Sequence, residues 1–170
     1  MVAYKDGTSV RLVSRAGKDH DRRFAELAAA IRALPAMMLI LDGEVAIFDD
    51  TLISRFEWFR KRPEDVTATP PVYMAFDCLY LEGRDLRDRP LRERRIEFER
   101  VLENDQVLLF PARRLVPDGL AAWAQVVERG YEGLVGKDEA SPYREGRSLP
   151  WLKVKVPKYR AGERGRGPSR

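Results

Sequence analysis

Apolar and polar positions along this chain alternate between two periods. Residues 9–15, Ser-Val-Arg-Leu-Val-Ser-Arg, follow the period of two expected of a strand with one buried face. Lys5-Asp6-Gly7, just before them, is a hairpin signal. Over 21–34 the period lengthens: Phe24, Leu27, Ile31 and Leu34 share one helical face, and Pro35 stops the helix. Met38 to Phe48 is a β-rich run with Asp42-Gly43 in its middle. A short helix is predicted over 52–62, followed by a loop rich in Pro and Thr. Val72 to Leu81 predicts a strong strand closed by a turn at Glu82-Gly83, and 90–104 a charged helix that buries Leu91, Phe98 and Leu102. Val107 to Pro111 reads as a strand, and Asp118 caps a helix that runs to Arg129 and stops at Gly130. Two final strands, Gly133 to Lys137 and Trp151 to Val156, flank a polar loop.

This order has hairpins but no regular βαβ alternation and no internal repeat, so the fold class expected is α+β, with packed, largely antiparallel sheets. A length of 170 residues fits one domain with a real core, here 1–158, followed by a basic flexible tail over 159–170. With 44% hydrophobic and 34% charged residues, global disorder is excluded. A net charge of +4 leans weakly towards a polyanionic partner. The lone cysteine, Cys78, rules out an internal disulfide and suits a reducing, cytoplasmic setting; inside its apolar run it reads as a small buried hydrophobe. No stretch nears the ~20 apolar residues of a membrane span, so no membrane partner is expected. One histidine, His20, leaves little for a multi-His metal site or a His-based triad.

The informative residues are charges set in β-rich runs. Asp42 and Glu44 are two apart and leave the same strand face about 7 Å from each other, where like charges repel unless a cation or donor compensates. Lys153 and Lys155 have the same spacing, with Leu152, Val154 and Val156 pointing the other way, so two ammonium groups on one face can clamp a phosphate. Glu132 and Lys137 bracket another apolar strand. Each pattern alone also fits a solvated sheet face. Together they fit a cleft for a metal-bound nucleotide.

Six motifs occur in order: Ser14-Arg15-Ala16-Gly17, Leu41 to Glu44, Ala75 to Gly83, Arg89 to Arg95, Glu132 to Lys137 and Trp151 to Lys155. In this series the chain resembles ATP-dependent DNA ligases, most closely the bacterial ligases of end joining and their stand-alone relatives. The resemblance spans residues 4–158 and implies an adenylyltransferase domain of two antiparallel sheets with flanking helices around an ATP cleft. It also implies a three-step reaction in which a lysine takes AMP from ATP, passes it to a 5′-phosphate, and the 3′-hydroxyl displaces it. Residue by residue, Glu44 matches the acid near the ribose or metal and Phe76 the aromatic that stacks on adenine. Glu132 matches the acid linked to Mg2+ (or Mn2+), Lys153 and Lys155 the pair on the α-phosphate, and Arg15 a residue near the phosphates of the nicked strand. Without the resemblance, Phe76 reads as plain core. Asp77 falls on the opposite strand face, and Arg89, Arg92, Arg94 and Arg95 read either as DNA contacts or as a solvated helix face.

The chain also departs from the family pattern. Lys5 is followed directly by Asp6, whereas the family nucleophile is separated from its aspartate by one residue. Lys5 lies ten residues before Arg15, where the family has about twenty. Lys5 therefore reads as the tip of a hairpin, the nucleophilic lysine is not found, and an N-terminally truncated domain without the family's OB domain is expected. The partners implied are nicked or broken duplex DNA and a complementary chain supplying the missing strand or OB domain; the setting implied is cytoplasmic and nucleoid-associated. Two other readings stand beside a ligase that is weak or inactive alone: a non-catalytic nucleotide- or nicked-DNA-binding module, and an RNA ligase or capping-type nucleotidyltransferase.

Overall fold

The computed structural model describes residues 1–60, 66–103, 107–146 and 149–157. The chain forms two compact units, both discontinuous in sequence: Met1–Val45, Pro71–Arg113 and Asp138–Ser148 make the first, and Ala46–Pro70, Arg114–Lys137 and Leu149–Arg170 the second. The tail expected over 159–170 lies outside the described residues.

The first unit is built on a six-stranded sheet. Strands β1 (Val2–Asp6), β2 (Ser9–Val13), β3 (Met38–Ala46), β4 (Val72–Leu81) and β5 (Arg84–Asp85) follow the order β2-β1-β3-β4-β5. Strand β6 (Leu109–Pro111) pairs in parallel with Tyr73–Ala75 of β4; β1 pairs antiparallel with β2 and β3, and β5 with the far end of β4. Alternation sends Ala3, Lys5, Val10, Leu12, Leu39, Leu41, Tyr73, Ala75 and Asp77 to one face, where all are buried. Helix α1 (Ala25–Ala33) and helix α2 (Leu91–Leu102) cover this face: Lys5 bonds to carbonyls at the end of α1, and Asp77 to Arg94 of α2. The other face, with Tyr4, Met38, Ile40, Glu44, Phe76 and Tyr80, is covered by no helix among the described residues of this unit.

Local chemistry trims the expected elements. Phe24, Leu27, Ile31 and Leu34 are all buried as their spacing requires. The helix nevertheless starts at Ala25 and not near Asp21, because the amides of Asp21 and Arg22 are taken by the carboxylates of Asp19 and Asp21. It ends at Ala33, where Leu34 turns extended ahead of Pro35. Helix α2 corrects the reading of its arginines. Arg94 is fully buried and Arg95 nearly so, and neither is a DNA contact or a solvated residue. Arg94 makes a bidentate pair with Asp77, both bonds 2.7 Å, and also donates to the carbonyls of Arg89 and Ser141. Arg95 bonds Glu99 and the carbonyl of Ala112. Cys78 is buried, which pushes its thiol up to about 12.

The second unit holds helix α3 (Gly119–Arg129), a 3-10 turn at Phe56–Phe59 and a two-stranded antiparallel ribbon of β7 (Gly133–Lys137) and β8 (Trp151–Lys155). The helix expected over 52–62 is reduced to that turn, since Asp49 organises the segment before it: its carboxylate accepts from the amides of Thr51 and Ile53, the Thr51 hydroxyl and Arg55. Helix α3 has the expected ends. Asp118 accepts from the Ala121 amide at 2.7 Å, and Gly130 stops the helix in the left-handed region at φ 68°. Among the described residues, Ala46, Ile47, Ile53, Ala122 and Val126 are the buried apolar residues of this unit. No described helix is long and apolar enough to cross a membrane.

Candidate functional site

The ribbon of the second unit carries the main cluster. Gly133 faces Lys155 across the ladder, Val135 faces Lys153 and Lys137 faces Trp151, so the three lysines and the tryptophan share one face. The amide of Val156 donates to the Glu132 carbonyl at 2.9 Å, extending the ladder one step and placing Glu132 at its end. There the Glu132 carboxylate meets both lysines: Lys155 Nζ is 2.7 Å from Oε1 and Lys153 Nζ 3.5 Å. The hydrogen bond from Lys155 chiefly holds the Glu132 carboxyl below its ordinary range, with burial opposing and the charge of Lys153 adding. The close approach of the strands depends on Gly133, where a Cβ would sit 2.1 Å from the Val154 carbonyl oxygen. The face of Leu152 and Val154 is apolar, as its spacing implies, yet both residues are exposed.

The other sequence-derived residues lie in the first unit. Glu44 is exposed on β3, and Phe76 is half-buried on β4, on the sheet face that no helix covers. On that face an open cavity of about 360 Å³ is lined by Tyr4, Arg11, Met38, Ile40 and Tyr80, among others. Arg15 is exposed in the turn after β2, where the Gly17 amide bonds the Ser14 carbonyl and Gly17 has φ 73°. Asp42 and Glu44 differ in environment despite their spacing. Asp42 is half-buried, accepts from the Tyr143 hydroxyl at 3.2 Å, and has its pKa raised mainly by burial. The sequence did not reveal this partner, which lies 101 residues away.

Lys5 is not at the hairpin tip expected from its Asp-Gly neighbours but inside a strand, paired with Val10. It is buried in β1, and its Nζ donates to the Arg32 carbonyl at 2.9 Å and to that of Leu34, serving the exposed acceptors at the end of α1. Burial lowers its pKa, with the charge of Glu82 opposing.

Residues 1–155 match the family model described as the ATP dependent DNA ligase domain. The chain belongs to that family. It is 36% identical over 157 residues to the multifunctional non-homologous end joining protein LigD of Pseudomonas aeruginosa, covering 91% of this chain and 18% of that protein. It is 35% identical over 178 residues to a probable DNA ligase of Streptomyces griseus, covering 89% of this chain and 33% of that one. Among solved structures it superposes on the ligase domain of LigD from M. tuberculosis with a TM-score of 0.75 and 30% identity, over 91% of this chain and 49% of the other. A mycobacterial DNA ligase D complexed with ATP and MES gives the same score and identity, over 91% and 50%. This ligase-family chain thus spans a third or less of these curated relatives and about half of the solved domains. The α+β architecture of two sheets with flanking helices is that of the family.

Proposed function

We propose that this chain provides the nucleotide- and phosphate-handling part of an ATP-dependent DNA ligase, acting on nicked or broken duplex DNA. The observation that carries this reading is the Glu132 carboxylate held between Lys155 and Lys153 on an exposed ribbon. Two ammonium groups converging on one anionic oxygen form a cradle that a phosphate oxygen can enter in its place. Phosphoryl-type transfer depends mainly on positioning and charge stabilisation, which is what such a cradle supplies. Phe76, half-buried on an open sheet face, fits a stacking role towards adenine, and Glu44 one towards ribose or metal. Arg15, exposed in its turn, fits a contact with strand phosphates.

Mg2+ prefers oxygen ligands and commonly takes one or two from protein carboxylates and the rest from phosphates and water. Among the described residues no group of three or more His, Cys, Asp or Glu is placed to hold a metal ion by protein ligands alone. The family resemblance gives a metal-side role to Glu132 and, separately, to Glu44. When bound, the ion neutralises phosphate charge.

Lys5 is buried with its ammonium committed to two carbonyls, which supports a structural role. Self-adenylylation through Lys5 is therefore expected to be weak or absent. The test is incubation with α-labelled ATP and Mg2+, together with a separate assay on a pre-adenylylated nick. The expected result is no stable label on the 170-residue protein, with sealing of the pre-adenylylated nick reduced ~100-fold or more by Lys153→Met or Lys155→Met. Label that disappears in Lys5→Ala would refute the reading of Lys5. Binding of neither ATP nor nicked duplex would refute the function itself.

A further inference from the structure

We infer that Lys137 is a positioning residue: by stacking on Trp151 it fixes the ribbon end from which Lys153 reaches its phosphate. This rests on the phosphate-handling role of the ribbon proposed above. The Lys137 Nζ lies 3.7 Å from the centroid of the Trp151 ring, well inside cation–π range. That nitrogen is sealed from solvent, whereas the side chains of Lys153 and Lys155 are 59% and 60% exposed. The three lysines of one face thus do different work. Two are presented to solvent beside Glu132, and the third is turned inward against an indole.

The location makes the contact matter. Among the described residues the ribbon has only two strands, and such a ribbon depends on its cross-strand pairs. At the Glu132 end the register is held by Gly133 against Lys155 and by the added bond from Val156 to Glu132. At the other end the last pair is Lys137 and Trp151. Lys153 sits two residues from Trp151 on the same face, so a shift at Trp151 is passed directly to Lys153. A displacement near 1 Å at a phosphate-holding group is enough to lower a rate ~100-fold.

The experiment uses the full chain with Trp58→Phe and Trp123→Phe, so that Trp151 is its only indole. Iodide quenching of Trp151 and the dissociation constant for ATP with Mg2+ are measured for this protein and for its Lys137→Met and Lys137→Arg forms. The expected result is a Trp151 that becomes accessible to iodide in Lys137→Met, with ATP affinity down about tenfold and both restored by Lys137→Arg. Far-ultraviolet circular dichroism checks that each form is folded, and Trp151→Phe, which keeps an aromatic face but leaves no indole to quench, is expected to bind ATP with an affinity between those of the parent and Lys137→Met. Quenching unchanged in Lys137→Met overturns the stacking. Quenching that changes while ATP affinity does not, or a Lys137→Arg form as weak as Lys137→Met, overturns the positioning role. A parent protein that binds no ATP, but whose Trp151 still responds to Lys137→Met, overturns the nucleotide reading itself and is thereby told apart from failure of the stack.

Discussion

Asp77 and Arg94 are each fully excluded from solvent, so neither charge has water to fall back on. Replacing Arg94 by Leu leaves a buried carboxylate unpaired and is expected to cost about 3–5 kcal/mol in urea unfolding. The double variant Asp77→Leu/Arg94→Leu is expected to be more stable than Arg94→Leu, because it removes the stranded charge as well. The pair was missed in the sequence, where Arg94 and Arg95 read as DNA contacts or a solvated face, although the pattern held a signal. Asp77 interrupts an apolar strand, and Arg94 and Arg95 fall between Leu91 and Phe98 on the stripe that faces the core. A charge in each of two buried faces implies a partner for each, but spacing alone does not match one to the other. Glu132 gives a prediction of a different kind. Its carboxyl is held below 4.5, the Lys155 bond being the main cause, so the pairing is intact above pH 4.5 and is lost as pH falls through the lowered value. Titration of its side-chain carbon by NMR should show a midpoint below 4.5, and Lys155→Met should move it upward.

Elements were easier to read than their neighbours. Strand β4, helix α3 and the β1–β2 hairpin follow directly from period and caps, because each is set by residues close in sequence. The parallel pairing of β6 with β4 and the ribbon register depend on contacts between distant residues, and no local period encodes them. The two motif glycines show the limit. Gly43 and Gly133 read from sequence as companions of acidic residues, yet both lie where another backbone comes close. A Cβ on Gly43 would sit 2.6 Å from the Met74 carbonyl oxygen, and one on Gly133 still closer to that of Val154. Gly133→Ala should therefore force the strands apart, destabilise the ribbon by ~1–3 kcal/mol on thermal unfolding and move the Glu132 midpoint towards 4.5. Loss of stability with an unchanged Glu132 titration would mean that the cluster does not depend on the ladder.

At the scale of the whole molecule, the first unit is completed by a late segment. The side chain of Pro90 offers no cap to α2, and the amides of Leu91 and Arg92 are instead satisfied by the carbonyls of Ser141 and Glu139. Ser141 also accepts from Arg94, and Tyr143 reaches Arg87 and Asp42. A fragment ending at Arg113 lacks all of these acceptors and donors, and its melting temperature should fall more than about 10 °C below that of the full chain. Adding the peptide 138–148 in trans should recover part of the difference; no recovery would show that the segment is dispensable to α2. The same dependence has a meaning in time. A ribosome adds about 5–20 residues per second, so the 47 residues separating Arg94 from Ser141 take roughly 2–9 s to emerge. Through that interval the nascent chain already carries both Asp77 and Arg94, while the start of α2 is still without its cap. The first half of the sequence is therefore made well before it can settle, and an early pause in synthesis would prolong the exposure of its sheet.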